Sequence, residues 1–272
     1  METLYGLEIS VNIFLQSLGA FLQTAMGLLT HLGDFPLYIA LIPAIYWCAD
    51  ALVGLHVGMI VLLSTSLNSF FKMLFKGPRP YWISDRVLAL GHESSFGIPS
   101  GHAMTSFSFW GQWSLERKQK CFTILSAFIV LLIGLSRLVL GVHFLSDVLA
   151  GWLLAFLLLW IFQKLARPLS AWYSRLSLAG QILVAFVSGA VLTSLSIGIR
   201  ALSAGWVMPA AWVSRAGQVD LFSLEGPLLT GGVWFGMLAG FSALRHYRGV
   251  FASAEGTRFH HQSKRPATVI PD

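Results

Sequence analysis

Apolar runs of about the length that crosses a bilayer, roughly 20 residues, alternate with short polar breaks along most of the chain. The first covers residues 11–32 and stops at Gly33-Asp34-Phe35-Pro36. A second, short for a span, covers 37–47 and ends at Asp50; a third covers 51–75. Residues 76–99 are rich in Gly, Pro, Ser and charge and read as a loop. The fourth run opens at Ser100 and stops before Glu116-Arg117-Lys118-Gln119-Lys120; the fifth is 121–140 and the sixth 144–162. Beyond a basic turn at 164–175 come a seventh, 178–199, and an eighth, 227–244. Their connection carries Trp206, Pro209, Trp212, Arg215 and Asp220, a mixture suited to the membrane interface. Because non-helical backbone cannot face lipid, the pattern predicts an all-α polytopic bundle.

Composition sharpens this. The chain is 56% hydrophobic and only 11% charged, less than half the charge of a soluble domain. Its net charge of +6 is not arranged as a basic cluster interleaved with aromatics, so no nucleic acid partner is expected; the excess fits membrane topology plus an anionic substrate. Cys48 and Cys121 lie in or beside apolar runs and read as packing residues. With Glu2 and Glu8 and no basic segment, the N-terminus does not resemble a cleaved signal. Eight spans from a cytoplasmic N-terminus put Arg117, Lys118, Lys120, Lys164, Arg167, Arg175, Arg245, Arg248, Arg258, Lys264 and Arg265 on one face, eleven in all. The other face holds Lys72, Lys76, Arg79, Arg86, Arg137, Arg200 and Arg215, seven in all. Discounting Lys72, Arg79 and Arg137, which serve the chemistry below, leaves eleven against four. The positive-inside rule then makes the first face cytoplasmic.

Three polar stations break the apolar background: Lys72 with Arg79-Pro80, Pro99-Ser100-Gly101-His102, and Ser136-Arg137 with His143 and Asp147. All three fall on the face opposite the basic turns. The residue types suit a phosphoryl group. Lys and Arg neutralise its oxygens, Arg through a bidentate fork. A helix start at Ser100 and Gly101 offers free N–H groups. His143 and Asp147 are spaced i, i+4 and share a face if the sixth helix begins here. Asp147 then fixes the imidazole tautomer and leaves the other nitrogen free to attack. His102 can supply the proton for a departing oxygen. No carboxylate cluster suited to magnesium accompanies them, so no metal or other cofactor is expected. Singly, each group has a plainer explanation: histidines at helix ends pack or cap, Pro-Ser-Gly is a common helix start, and Lys72 and Arg137 can snorkel. Asp147 is harder to dismiss, because a carboxylate within an apolar run is costly without a partner.

Jointly, the stations resemble the three-part signature of the type-2 phosphatidic acid phosphatase superfamily: Lys, six residues, Arg-Pro; Pro-Ser-Gly-His; Ser-Arg, five residues, His, three residues, Asp. Lys72 to Arg79-Pro80, Pro99 to His102, and Ser136-Arg137 through His143 to Asp147 fit it with no departure in spacing. The resemblance implies a six-helix core, residues 1–165, and metal-independent hydrolysis through a phosphohistidine on His143. It implies Asp147 as orienter, His102 as general acid, and Lys72, Arg79, Ser100, Gly101 and Arg137 on the phosphate. The implied substrate is a phospholipid, sphingoid or isoprenoid phosphate such as undecaprenyl diphosphate, within membrane lipids. Beyond the core, residues 166–244 are expected to form two additional transmembrane helices, and residues 245–272 a basic, disordered cytoplasmic tail. Both termini are expected in the cytoplasm, the active site outside it, and the protein in a bacterial inner membrane; an oligomer is not indicated.

Two other functions compete. Vanadate-dependent haloperoxidases have a similar signature, but they are soluble. A lipid-phosphate binding or transport protein could keep the site without turnover, although nucleophile, orienter and acid together exceed what binding requires. Around the site, Lys76, Arg86, His92 and Glu93 read as a solvated interfacial loop, and Tyr81 and Trp82 as interface anchors. Gly232, Gly236 and Gly240 read as close packing within the chain.

Overall fold

The structure, a computed structural model, describes residues 2–254. In order these form α1 (Glu2–Ser17), α2 (Ala20–Leu29), a 3-10 turn (Thr30–Gly33), α3 (Phe35–Cys48), α4 (Ala51–Phe75), the single turn α5 (Pro80–Ile83) and α6 (Gly101–Arg117). Then follow α7 (Lys120–Val139), α8 (Leu145–Tyr173), α9 (Leu178–Leu202), the short α10 (Ala210–Ala216) and α11 (Glu225–Ala254). Local chemistry sets the helix ends. The Asp50 carboxylate accepts from the N–H groups of Leu52 and Val53 at 2.8 and 3.1 Å and starts α4. Lys76, left-handed at φ 51°, ends it.

Helices α4, α7, α8, α9 and α11 are long and apolar enough to cross a membrane. Two shorter helices, α3 with 14 residues and α6 with 17, also connect the two ends of the bundle. α3 leaves from Asp34, beside His102, and turns into α4 where Tyr46 lies against Gly54. α6 starts at Gly101, next to His102, and its last turn carries Glu116, which meets His56 of α4 at 2.8 Å. It runs through the middle, against α4, α7 and α8. Tyr38, Val57, Ile60, Phe109 and Leu159 close the core below the site. Phe128, Phe156, Trp160 and Phe186 stay exposed on the outside, as side chains facing lipid do.

The expected first span is broken. α1 and α2 meet at 104°, pivoting at Gly19, whose φ of 108° suits glycine. A polar stripe explains the bend. Glu8, Asn12 and Gln16 recur every four residues and so share one helix face. Asn12 donates to the carbonyls of Leu138 and His143 at 2.8 and 3.1 Å; Gln16 donates to those of Leu88 and Val139 at 2.8 and 3.0 Å. Glu8 accepts from the Ser146 N–H at 2.7 Å. Leu88 apart, these groups lie where α7 ends and α8 begins and the regular helical ladder breaks off. α1 therefore lies across the site end of the bundle. The N-terminal helix and the site share one face, which corrects the expectation that both termini face away from the site. At the other end of the chain, α11 starts at the site and runs away from it.

Other expectations also change. α8 runs through the boundary expected at residue 165. α9 and α11 pack on each other and on α4, with Ser66 donating to Thr230 at 3.0 Å. A Cβ added at Gly232, Gly236 or Gly240 would meet nothing within 4 Å among the described residues, whereas one at Gly231 would meet Thr193 and the Gly189 carbonyl. α11 reaches Ala254, so the first part of the expected disordered tail is helical and the rest lies outside the described residues. Cys48 and Cys121 are free and exposed rather than packed. Tyr81 and Trp82 are buried, not interface anchors. The 203–224 connection does not merely rest in the interface: Trp206 meets Phe96 edge-on at 5.3 Å and Trp212 meets Trp82 at 6.1 Å.

Candidate active site

The three sequence stations converge at one end of the bundle. Ser100 and Asp147 provide the hinge between two of them. The Ser100 N–H donates to the Asp147 carbonyl at 2.9 Å, joining the start of α6 to the first turn of α8. Glycine at 151 allows this approach, because a Cβ there would stand 2.8 Å from the Ser100 carbonyl oxygen. The contact also corrects an expectation: the Ser100 backbone N–H is engaged and cannot serve an anion. Gly101, the first residue of α6, keeps an N–H without an intrahelical acceptor.

His143 is not on a helix. It lies in the turn before α8, one residue ahead of the N-cap Phe144. Asp147 still reaches it: one carboxylate oxygen, Oδ2, accepts from the Phe144 N–H at 2.9 Å and lies 3.2 Å from His143 Nδ1. On the other side of the ring, Arg79 Nη1 stands 3.3 Å from Nε2. A guanidinium can only donate, so Nε2 carries the lone pair and Nδ1 the proton. Burial, then the Arg79 and Lys72 charges, hold the His143 pKa well below the usual histidine range. The ring is neutral, with its lone pair on Nε2, the nitrogen that Arg79 faces.

Arg79 is fully buried and acts as a clamp. It donates to the carbonyls of Ser95 at 2.7 Å, Phe96 at 3.0 Å and Val142 at 2.8 Å. The loop before α6 and the turn after α7 are thus tied to one guanidinium. Lys72, in the last turn of α4, donates to the Phe96 carbonyl at 2.5 Å and to Ser95 Oγ at 3.1 Å. Arg137 donates to Thr30 Oγ1 at 2.6 Å and to Glu93, and its buried Nε–H has no partner.

Glu93 is the residue that the sequence reading passed over as loop. Its carboxylate contacts Arg137 and lies 3.7 Å from Arg79. Burial pushes its pKa up, but Arg79 and Arg137 override this and hold it at about 2. The pocket in front has a volume of about 350 Å³. Lys72, Gly101, His102, His143 and Glu93 line one side of it. Arg79, Arg137 and Asp147 stand in the layer behind, so the pocket presents a carboxylate where the two arginines meet. An entering phosphate must displace that carboxylate. Glu93→Gln is expected to tighten binding of inorganic phosphate about fivefold to tenfold, a gain of about 1 kcal/mol. It should also lower the thermal midpoint of the free protein, because Lys72, Arg79 and Arg137 lose a counter-ion. Calorimetric titration checks the first effect; weaker phosphate binding would mean that Glu93 supports the anion rather than standing in its place.

The opposite side of the pocket comes from the C-terminal extension. Asp220, Leu221, Ser223, Glu225, Gly226 and Pro227 line it. No motif in the sequence marks these residues. They arrive because Trp206 and Trp212 seat the 203–224 connection on Phe96 and Trp82. The arrangement can hold a phosphoryl group between cations, present a neutral imidazole to it, and leave polar groups facing whatever the phosphate is attached to.

The profile described as the PAP2 superfamily matches residues 53–169. Phosphatidylglycerophosphatase B of Bacillus subtilis (strain 168) is 30% identical over 153 residues, spanning 52% of this chain and 73% of that protein. Glucose-6-phosphatase 3 of Bos taurus is 29% identical over 250 residues, spanning 82% of this chain and 71% of that protein. A solved structure, the transmembrane PAP2 type phosphatidylglycerolphosphate phosphatase from Bacillus subtilis, is similar with a TM-score of 0.54 at 26% identity, covering 62% of this chain and 88% of that one.

Proposed function

This chain belongs to the PAP2 superfamily, and from that premise we propose that it is a membrane phosphatase hydrolysing a lipid phosphomonoester or an isoprenoid diphosphate. His143 Nε2 attacks phosphorus in line, forming the N–P bond as the P–O bond to the lipid breaks. His102 gives its proton to the departing oxygen. Water then attacks the phosphohistidine, losing a proton to His102, and inorganic phosphate leaves. Asp147 holds the Nδ1–H of His143 and balances the charge that forms on the ring. Lys72, Arg79 and Arg137, the Gly101 N–H and the Ser100 hydroxyl supply donors to the phosphoryl oxygens. The observation that carries this reading is the Asp147–His143–Arg79 alignment, which leaves a neutral Nε2 beside the pocket. We assign the site to the extracytoplasmic leaflet of a bacterial inner membrane; the bias of Lys and Arg toward the opposite face supports the leaflet. Moving the N-terminus to the site face leaves that argument intact, since no Lys or Arg precedes Lys72.

A second substrate class has an observation in its favour. The similarity to glucose-6-phosphatase 3 extends over most of the chain, and the extension contributes polar Asp220, Ser223 and Glu225 to the pocket. A hydroxyl-rich, water-soluble phosphomonoester would suit that wall. Phosphate release from purified protein, with chelator present, over a panel of phosphatidate, sphingoid phosphate, prenyl diphosphate and hexose phosphate separates the two. Release from the lipids supports the first reading, and release from hexose phosphate alone supports the second. A folded protein that releases none, yet binds phosphate, is a receptor.

A further inference from the structure

The two histidines of the pocket contact their carboxylates through opposite ring nitrogens. His143 uses Nδ1 toward Asp147 and turns Nε2 toward Arg79. His102 uses Nε2, which lies 2.9 Å from Asp34 Oδ1, and so keeps Nδ1. Asp34 lies outside residues 53–169, the stretch matched by the superfamily, and no part of the three-part signature includes it.

Several features show that this contact is built rather than incidental. Asp34 occupies the N-cap of α3, where an aspartate ordinarily accepts from the first helical N–H groups, yet it makes no such bond. Its second oxygen, Oδ2, instead lies 2.7 Å from Nδ1 of His31. The His102 hydrogen bond, aided by that to His31, outweighs partial burial and keeps the Asp34 carboxyl ionised, at about 2. The turn that carries Asp34 is fitted to the site. Thr30 accepts from Arg137 at 2.6 Å. A Cβ on Gly33 would stand 2.9 Å from both His102 Cδ2 and Ile133 Cγ2, so only glycine lets the turn close on the ring.

We propose that Asp34 is a positioning residue for His102: it holds the Nε2–H so that Nδ1 faces the phosphoryl leaving oxygen, it stabilises the imidazolium that donates the proton, and through His31 it connects that ring to solvent. The proposal rests on His102 being the general acid. His31 is mostly exposed and can exchange protons with water. The charged and titratable groups around His102 are Asp34 with His31 behind it, Arg137 from α7, Glu93 from the loop before α6 and His143 from the turn after α7. Asp34 is the one of these in hydrogen-bond contact with the ring.

The sign of the pH effect follows. A general acid must be protonated, so activity falls as pH rises through its pKa. Asp34 favours the protonated form, so removing its charge moves this alkaline limb to lower pH. The test compares kcat/KM, which reports steps through P–O cleavage, for an alkyl phosphate and for an aryl phosphate whose acidic phenol departs without a proton. Asp34→Asn is expected to lower kcat/KM on the alkyl phosphate by about 10²-fold, to lower it by less than about threefold on the aryl phosphate, and to shift the alkaline limb downward. His102→Gln should show the same substrate dependence, at least as severely. If His102→Gln matches the parent on the alkyl phosphate, the acid assignment itself fails. If His102→Gln is impaired but Asp34→Asn is not, or Asp34→Asn loses equally on both substrates with an unmoved limb, Asp34 is only a structural staple. Should Asp34→Asn not fold, Asp34→Ser in the same paired assay gives the same reading.

Discussion

His143→Ala is expected to abolish phosphate release, lowering kcat by about 10⁴-fold or more, as loss of a covalent nucleophile does. The size follows from what the ring does. Its Nε2 carries the lone pair, 3.3 Å from Arg79 Nη1, while Asp147 holds Nδ1. No neighbouring side chain can replace it: Lys72 is committed to Ser95 and Phe96, and His102 to Asp34. The variant should fold, since Asp147 keeps its bond from the Phe144 N–H. Rapid quenching with labelled substrate checks the assignment directly. The parent should carry an acid-labile, alkali-stable phosphoryl group and His143→Ala should carry none. A variant that still accumulates label means the nucleophile lies elsewhere.

Arg79→Lys is expected to lower kcat/KM by about 10²- to 10³-fold, the scale seen when a preorganised donor to developing charge is lost. Charge is retained in this substitution, so the loss isolates geometry. A guanidinium reaches Ser95, Phe96, Val142 and His143 at once; an ammonium has three donors and no fixed fork. The Ser95 and Val142 carbonyls would be left buried without that partner, costing about 1–3 kcal/mol each. The thermal midpoint should fall by about 5 °C, as the loop before α6 and the turn after α7 separate. Arg86→Ala, on the exposed part of the same loop, should change neither quantity. An Arg79→Lys protein with the parent's midpoint and activity would show that the clamp contributes nothing.

Much of the site can be read from spacing, because its chemistry is tied to helix ends. Lys72 closes α4, Ser100 and Gly101 open α6, Arg137 closes α7 and Asp147 lies in the first turn of α8. Hydropathy locates such ends to within a residue or two. Glu93 and Asp34 were not legible in the same way. Each sits in a polar break, where a carboxylate is ordinarily solvated and needs no explanation. Only the folding of the 76–99 loop onto Arg79 puts Glu93 against the arginines, and only the bend at Gly19 brings Asp34 to His102. The stripe of Glu8, Asn12 and Gln16 was visible as a helical period. Nothing local, however, reveals that its partners are the backbone groups of residues 88 and 138–146.

By itself the sequence determined that this is an all-α membrane protein of the PAP2 superfamily, with its cations, histidines and Asp147 gathered at one end of the bundle. Apolar runs and motif spacings are one-dimensional quantities, and lipid permits few ways to fold them. Tertiary structure alone decided which face α1 occupies, that the 203–224 connection and the start of α11 form the second wall of the pocket, and which ring nitrogen of each histidine is free. Apart from the local His143–Asp147 pair, those outcomes depend on hydrogen bonds between residues 64 to 138 positions apart, and on aromatic contacts such as Trp206 on Phe96, which no local pattern encodes.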